Sequence, residues 1–279
     1  GLHRCVAMTL GNLTESDART YVCGSPEPSS GAAAAAEAGA ARWLGLLPAL
    51  DPLPGFTLPE HVWPMLYNVC GGNLGALRCV ASAAVVAYTV RAGATDECWD
   101  EALLAERARA AAVVDRGFRP NTLPARGGHR AAWEPRQWVA TLQAIAGADR
   151  HAVPVPELRA LLGAGNIEAG AAALESLLRF NMVGYRQRSV LASDLPPEVY
   201  GRAGTTPVIT ARDAAVLECI LGNQWAEQAM DVAIQTVEDE INSLEAGRQG
   251  WRLPELRRTL ERLRKEKRQA LLLRSQGQL

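Results

Sequence analysis

The chain has 279 residues, of which 48% are hydrophobic and 5% aromatic, and a formal net charge of -1. This length favours two or three compact units, and an alanine-rich apolar content with few aromatic residues favours helical interfaces over β-sandwiches. The nearly neutral charge excludes attraction of the whole chain to nucleic acid or to an anionic membrane, so any such contact is local.

Helices are predicted from apolar residues spaced three or four apart and from Thr or Pro near the helix starts. In chain order they are 15–22, 57–70, 74–91, 95–115, 135–146, 156–162, 167–180, 211–244 and 254–275. Short strands are predicted at 3–10, 183–186 and 189–192. A stretch rich in alanine, proline and glycine, 24–56, predicts an insertion. The expected fold class is therefore mainly α.

The three helices between 135 and 180, followed by two short strands, have the order of a winged helix. The Gly163–Gly165 connection between the second and third of these helices suits a helix-turn-helix. The third helix carries Glu168 and Glu175 but a single base, Arg179. Because affinity for DNA comes from Lys and Arg paired with phosphates, this helix disfavours sequence-specific DNA binding and favours protein contact or domain packing.

The two C-terminal helical patterns are joined by Gly247–Gly250, which predicts an antiparallel helical hairpin. The last helix is rich in bases. Its candidate partner-binding residues are Arg257, Arg258, Arg262, Arg264, Lys265 and Arg268. A run of this kind usually forms a solvated helix face, and the alternative is a local site for RNA, an acidic protein or an anionic lipid surface.

The segment Asn68–Arg78, NVCGGNLGALR, separates two helical patterns with Gly71, Gly72 and Asn73. Consecutive glycines permit backbone conformations that a side chain disfavours, so this turn is a candidate hinge. The alternative is structural, in that one glycine serves only to end the preceding helix in a left-handed conformation. The sequence leaves both interpretations open.

The order of these parts resembles the C-terminal half of archaeal-type ATPases of the signal-transduction (STAND) branch of AAA+ proteins. The resemblance covers about residues 1–205 and rests on LGNLTESDARTYV at 10–22 followed by LYNVCGGNLGALR at 66–78. It implies the end of a nucleotide-binding core with a first helix (1–23), the insertion (24–56), a helical lid (57–118), a winged-helix domain (119–205) and the hairpin with its basic C-terminal helix (206–279).

In that family the glycine segment begins a lid helix near the nucleotide. The resemblance therefore implies that Gly71, Gly72 and Asn73 form a hinge beside a bound nucleotide, with Arg78 approaching its phosphates. In the family a proline commonly follows the Gly-Gly-Asn and contacts the adenine. This chain has Leu74 at that position, so the resemblance does not extend to that contact.

The chain contains no GxxxxGK[ST] phosphate loop, and its two lysines, Lys265 and Lys267, lie in the C-terminal charge run. Such a loop is what holds the phosphates in this class of ATPase. We therefore expect that the chain alone hydrolyses nothing, and that ATP and Mg²⁺ bind only together with a core encoded before Gly1.

Six cysteines are present, none in a CxxC pair or at zinc spacing from histidine. We expect buried free thiols and a reducing compartment inside the cell, with cytoplasm and organelle matrix both open. The sequence around His61, His129 and His151 shows no cluster of metal ligands, and no catalytic constellation is recognised. Arg78 and Arg91 bound the most apolar helix, so no transmembrane segment is expected.

Two functions remain. The first is the lid, winged-helix and partner-docking segment of a STAND-type ATPase, acting in nucleotide-regulated protein–protein interaction or assembly without being catalytic by itself. The alternative is a non-catalytic structural component of a large assembly, such as an organellar ribonucleoprotein, that binds RNA or protein through the basic hairpin.

Overall fold

A computed structural model describes residues 12–23, 56, 58–91, 94–189, 194–223, 225–246 and 252–275. Within these ranges the protein is mainly helical, with ten α-helices and a three-stranded sheet, which confirms the predicted fold class. The predicted strand at 3–10 and nearly all of the insertion at 24–56 lie outside the described residues.

The helices are α1 (Glu15–Cys23), α2 (Val62–Cys70), α3 (Leu74–Arg91), α4 (Thr95–Gly117), α5 (Pro135–Gly147), α6 (Val155–Gly163), α7 (Ile167–Arg179), α8 (Ala214–Leu221), α9 (Ala226–Ala246) and α10 (Leu253–Ser275). The strands are β1 (Ala152–Pro154), β2 (Val183–Arg186) and β3 (Val208–Ala211). Most helix bounds differ from the predicted ones by one or two residues.

Helices α1 to α4 together with α8 form the N-terminal bundle. Its interior holds Leu66, Leu77, Trp99 and Leu103, and Phe56 stacks on Trp99 with ring centroids 5.6 Å apart. Burying an aliphatic or aromatic side chain of this size contributes about 2 kcal/mol relative to leaving it exposed. Packing of these side chains, rather than helix propensity, therefore holds α2, α3 and α4 together.

Helix α2 begins at Val62, not at Thr57 as predicted. Pro59, Glu60 and His61 lead into it as a turn, and the Val62 N–H donates to the Pro59 carbonyl at 3.0 Å. The proline therefore marks a turn before the helix rather than its first helical position.

Helices α5, α6 and α7 and the three strands form a second unit, the winged unit (135–211). Its strands are antiparallel in the order β1-β3-β2, so the last strand lies between the other two. These elements lie in the segment where the sequence predicts a winged helix, and that assignment stays a prediction. Helices α6 and α7 approach closely at Gly170, where a Cβ would lie 2.1 Å from the Arg159 carbonyl oxygen.

Strand β2 pairs with β3, which the sequence did not predict. The strand predicted at 189–192 lies outside the described residues except for Ser189. Val208 and Ile209 are fully buried between β1 and β2, and this burial makes 208–211 a strand rather than part of the linker to the next helix. The sheet therefore crosses the predicted domain boundary at 205.

The single helix predicted over 211–244 is wrong, because α8 and α9 are separate helices. Asp213 caps the start of α8 by accepting a hydrogen bond from the Val216 N–H at 2.9 Å. Gly222 and Asn223, the latter with φ of 52°, end it. The Trp225 indole N–H then donates to the Ile220 carbonyl at 3.0 Å and fixes the turn into α9.

Helices α9 and α10 pack against each other as the predicted antiparallel hairpin. Apolar residues of α9 recur at spacings of four and three, as in a coiled coil. They are Met230, Ile234, Val237, Ile241 and Leu244. The corresponding repeat in α10 is Leu253, Leu256, Leu260 and Leu263, with Lys267 at its next position. Ala229 and Val232, near the start of α9, pack against the main core.

The N-terminal bundle and the winged unit share one continuous core. Trp138 of α5 is fully buried, and its indole N–H donates to the Val114 carbonyl of α4 at 2.9 Å. Gly117 lies against the same indole ring, where a Cβ would come within 2.1 Å. The two units are therefore tightly packed across the predicted boundary at 118.

Candidate functional site

The Gly71–Asn73 turn, referred to below as the GGN turn, lies where three parts of the chain meet. Gly71 has φ of +57°, and its N–H donates to the Tyr67 carbonyl at 2.6 Å, which ends α2. A Cβ on Gly72 would lie 2.0 Å from the Leu13 carbonyl oxygen, and the Leu13 N–H donates to the Gly72 carbonyl at 2.9 Å. Gly72 is thus required by the close approach of the segment before α1.

Asn73 caps the start of α3, since its side-chain oxygen accepts a hydrogen bond from the Ala76 N–H at 3.1 Å. It also lines a cleft, whereas Arg78 is exposed on α3 and does not line that cleft. The structure therefore brings Asn73 together with other polar groups and leaves Arg78 apart from them. The hinge function of Gly71 and Gly72 stays a prediction, because packing alone accounts for both glycines.

The cleft has a volume of about 340 Å³ and lies between the GGN turn and the sheet of the winged unit. It is lined by the segment before α1, the GGN turn, the turn before β1, the strands β2 and β3, and the start of α8. The polar residues that matter below are Asn12, Asn73, Arg150, His151, Arg186 and Arg212. The sequence patterns had not singled out Arg150 or Arg212 among them.

Two of the three arginines in the cleft are held by aspartates. Arg186 donates from both terminal nitrogens to Asp194 at 2.6 and 2.7 Å, and both side chains are less than one fifth exposed. Arg212 pairs with Asp213, with its Nε 2.9 Å from the carboxylate. Arg150 is exposed and makes no hydrogen bond or ion pair with the residues that the structure describes. The cleft thus carries one unpaired guanidinium.

The turn that presents Arg150 has an unusual backbone. Arg150 and His151 have φ of 54° and 55°, two consecutive left-handed residues that are not glycine. The His151 N–H donates to the Ala148 carbonyl at 3.0 Å, and its Nδ1 lies 3.3 Å from the Ile145 carbonyl oxygen. Such backbone strain persists only where surrounding contacts enforce it, and it clusters at functional sites.

Behind the cleft lies a set of ion pairs, the junction network, formed by Glu106, Arg109, Arg212 and Asp213. Arg109 of α4 donates to Glu106 at 2.8 Å and to Asp213 at 3.2 Å. The hydrogen bond to Glu106 raises the pKa of Arg109, burial opposes that rise, and Asp213 adds to it. Glu106 is only 6% exposed, and Arg109 is its ion-pair partner.

Among the described cysteines, Cys70, Cys98 and Cys219 are buried free thiols, and Cys79 is an exposed one. Burial, followed by the nearby Glu106 carboxylate, raises the pKa of Cys70 to about 12. Burial also raises the pKa of Cys219. Because the thiolate is the reactive form, these two thiols are inert in the folded protein. The side chains of Cys5 and Cys23 lie outside the described part.

No group of three or more His, Cys, Asp or Glu side chains that could hold a metal ion occurs within the described ranges. The histidines singled out in the sequence lie apart from one another. His61 is 3.8 Å from Asp96 at the surface, His129 belongs to an exposed turn, and His151 lines the cleft.

The outward face of α7 carries acidic side chains. Glu168 and Glu175 are exposed, and Arg179 is paired with Glu175 at 2.5 Å. A helix offering phosphates two acids and an already paired base is poorly suited to a DNA groove.

Within the described residues, three of the eight bases in α10 pair with acids of α9. Arg264 pairs with Glu238 at 2.6 Å, Arg257 with Glu245 at 2.8 Å, and Lys267 with Asp231. Arg262 pairs with Glu266 of its own helix at 3.9 Å, and the Arg268 Nε donates to the Arg264 carbonyl.

Of the six candidate partner-binding residues, Arg258, Lys265 and Arg268 make no ion pair with the residues described here, and Arg268 donates only to a backbone carbonyl. The two helices and Arg252 together carry nine bases and nine acids. The basic run is therefore neutralised within the hairpin, although α10 considered alone is strongly basic.

One described helix, α3, is long and apolar enough to cross a membrane by length and composition alone. Five of its residues lie in the core of the N-terminal bundle, namely Leu77, Val80, Ala81, Ala84 and Val85. A core helix passes the same test, so this is weak evidence for a span, and the described part does not contain several spanning helices.

A scan of protein-family models and searches of curated proteins and of solved structures gave no match to this chain.

Proposed function

We propose that the chain is the lid, winged-helix and partner-docking segment of a STAND-type ATPase, in which the nucleotide state regulates a protein–protein interaction or an assembly. In this proposal the chain is not catalytic by itself. The observation that supports it most is the cleft, because the GGN turn, the winged unit and the segment before α1 all line the same cavity.

The contacts around the GGN turn suit a nucleotide-dependent movement. Gly72 is bonded to Leu13, and a Cβ on Gly71 would lie 3.1 Å from the Ala214 side chain of α8. A displacement of the segment before α1 would therefore be transmitted directly to the start of α3 and to α8. In the proposed function a nucleotide-holding core encoded before Gly1 supplies that displacement.

The helical hairpin is the proposed docking arm for a protein partner. Its first turns are anchored on the core through Ala229 and Val232, so a change in the core changes where the hairpin points. Equal numbers of acids and bases favour a protein partner over RNA, since affinity for RNA requires an excess of unpaired Lys and Arg.

The test uses the complete gene product and measures its affinity for ADP and ATP by calorimetry, together with amide hydrogen exchange in each state. We expect nucleotide binding, and different exchange in α3 and the winged unit between the two states. Asn73→Ala and Asn166→Ala form a matched pair, because each removes a capping asparagine and only Asn73 lines the cleft.

Only Asn73→Ala should weaken the nucleotide response. A gene product that binds neither nucleotide would overturn the proposal.

The alternative function, a structural component that binds RNA through the hairpin, makes a different prediction. Affinity for single-stranded RNA would fall steeply with salt and would depend on the unpaired Arg258 and Lys265. Suppose that the chain forms a tight, salt-sensitive RNA complex and that the double variant Arg258→Ala, Lys265→Ala abolishes it. RNA binding would then replace protein docking as the proposed function of the hairpin.

A further inference from the structure

We propose that the cleft is a binding site for a phosphate-bearing small molecule, and that this chain supplies the site without any other domain. The inference goes beyond the proposed ATPase segment, because every residue on which it depends belongs to this chain. It stands whether or not a nucleotide-holding core exists.

The first argument is the charge of the cleft. Three arginines and two aspartates line it, so one positive charge is uncompensated when His151 is neutral. That charge is on Arg150, which makes no ion pair or hydrogen bond among the described residues. A guanidinium has five N–H donors in a rigid fork that matches the oxygens of a phosphate. Arg150 is therefore free to provide the first contact to an oxyanion.

The second argument is that the other two guanidinium groups are fixed in position. Arg186 and Arg212 are each less than one fifth exposed and are held by Asp194 and Asp213. Their aspartates use only part of the five donors on each arginine, which leaves N–H groups for a ligand. Groups held in this way need little reordering on binding, so their contribution to affinity is larger than that of mobile surface arginines.

The third argument is the backbone that carries Arg150. Two consecutive left-handed residues, Arg150 and His151, are fixed by the contacts of His151 to Ala148 and Ile145. A lysine or arginine on an ordinary surface turn requires no such conformation. The strained turn directs residues 150 and 151 to the cleft, which both of them line.

The size of the cleft limits the ligand. A volume of about 340 Å³ is at the lower end of the range of small-molecule sites. Asn12 and Asn73 add side-chain amides that can donate to phosphate oxygens or contact a polar group attached to them. The ligand class is therefore a compact phosphate or diphosphate compound, either a free one or the phosphate part of a nucleotide.

The experiment titrates the 279-residue chain with pyrophosphate by calorimetry at constant ionic strength. Arg150→Asn removes the charge and keeps a residue that tolerates the left-handed conformation. Arg159→Gln is the matched control, because Arg159 is an exposed arginine of the same unit that does not line the cleft. We expect Arg150→Asn to weaken pyrophosphate binding at least tenfold and Arg159→Gln to leave it within twofold.

Circular dichroism of both variants checks that the fold is retained. Absence of pyrophosphate binding at millimolar concentration would overturn the proposed site. Equal weakening of binding by the two variants would also overturn it, because that result indicates general attraction of pyrophosphate to surface charge.

Parallel titrations with inorganic phosphate and ADP identify the source of the phosphate group. Tighter binding of ADP than of pyrophosphate indicates that the ligand is a nucleotide. Equal or weaker binding of ADP indicates that the ligand is a free phosphate compound. Either result supports a phosphate site in the cleft.

These titrations use the 279-residue chain alone, so their result is independent of the nucleotide test on the complete gene product. The chain can lack pyrophosphate binding while the complete product binds nucleotide. Equally, the chain can bind pyrophosphate while the complete product binds no nucleotide.

Discussion

The junction network and the helical hairpin use charge in different ways. At the junction, Glu106, Arg212 and Asp213 are each less than one fifth exposed, and Arg109, which is 42% exposed, links Glu106 to Asp213. Asp213 also caps α8 and contacts Arg212. In the hairpin many exposed side chains form separate pairs spaced along two helices, such as Glu238 with Arg264.

This difference predicts unequal sensitivity. Exposed pairs contribute about 0.2 to 1 kcal/mol each and are largely independent, whereas removing one member of a shielded group leaves its partners unsatisfied. Single substitutions should therefore affect the junction strongly and the hairpin weakly. The cleft adjoins the sensitive region, because Arg212 and Asp213 line it.

The largest effect is expected at the GGN turn. Gly72→Ala places a methyl group 2.0 Å from the Leu13 carbonyl, so the segment before α1 must move away. We expect a loss of about 3 kcal/mol in the free energy of unfolding, measured with urea. Gly147→Ala is the control, since a Cβ there meets no atom within 4 Å. A neutral Gly72→Ala would show that Leu13 is not held against the turn.

The next effect concerns the junction network. Asp213→Ala removes the cap of α8 and two ion pairs, and should lower the free energy of unfolding by about 2 kcal/mol. Asp213→Asn keeps a capping side chain and loses only the charge, so the difference between the two variants measures the cap. If Asp213→Ala and the wild type had equal free energies of unfolding, the junction network would be no more sensitive to a single substitution than the hairpin.

The buried thiol beside the GGN turn predicts a dependence on pH. Cys70 stays protonated in the folded protein up to about pH 12 but ionises near pH 9 when unfolded. Its contribution to stability is therefore complete below pH 9 and is lost as the pH rises toward 12, at about 1.4 kcal/mol per pH unit. Unfolding of Cys70→Ala measured across this range should lack that part of the slope. Identical slopes in the two proteins would contradict the raised pKa.

The smallest effect is expected in the hairpin. Glu238→Gln removes the pair with Arg264 and should change the free energy of unfolding by about 0.5 kcal/mol or less. Thermal unfolding with circular dichroism is sufficient to measure it, with Glu261→Gln as an exposed control in α10. A loss above 2 kcal/mol would mean that the hairpin is held together by charge as tightly as the junction.

Much of the helical structure follows from local sequence. The predicted bounds of α3 are those found, because Asn73 before it and Arg91 at its end are local signals next to a regular apolar pattern. The strand β2 was also predicted with its observed bounds. These elements are determined by neighbours within a few residues.

The strand β3 was missed for the opposite reason. Val208 and Ile209 are adjacent and both buried, so they show no alternation, and their partners are more than 20 residues away in the chain. The cleft was missed because Arg150 and Arg212 come from separate turns that only tertiary packing brings together. One usable signal was present, since Asp213 before an apolar run is a helix start.

The central position of β3 restricts how the polypeptide can be made and divided. Both β1 and β2 pair with residues 208–211, so neither has its sheet neighbour until that stretch has left the ribosome. A truncated product ending at residue 205 would expose two unpaired strand edges, a recognised cause of aggregation. Expression of a winged unit as an independent fragment should therefore extend at least through Ala211.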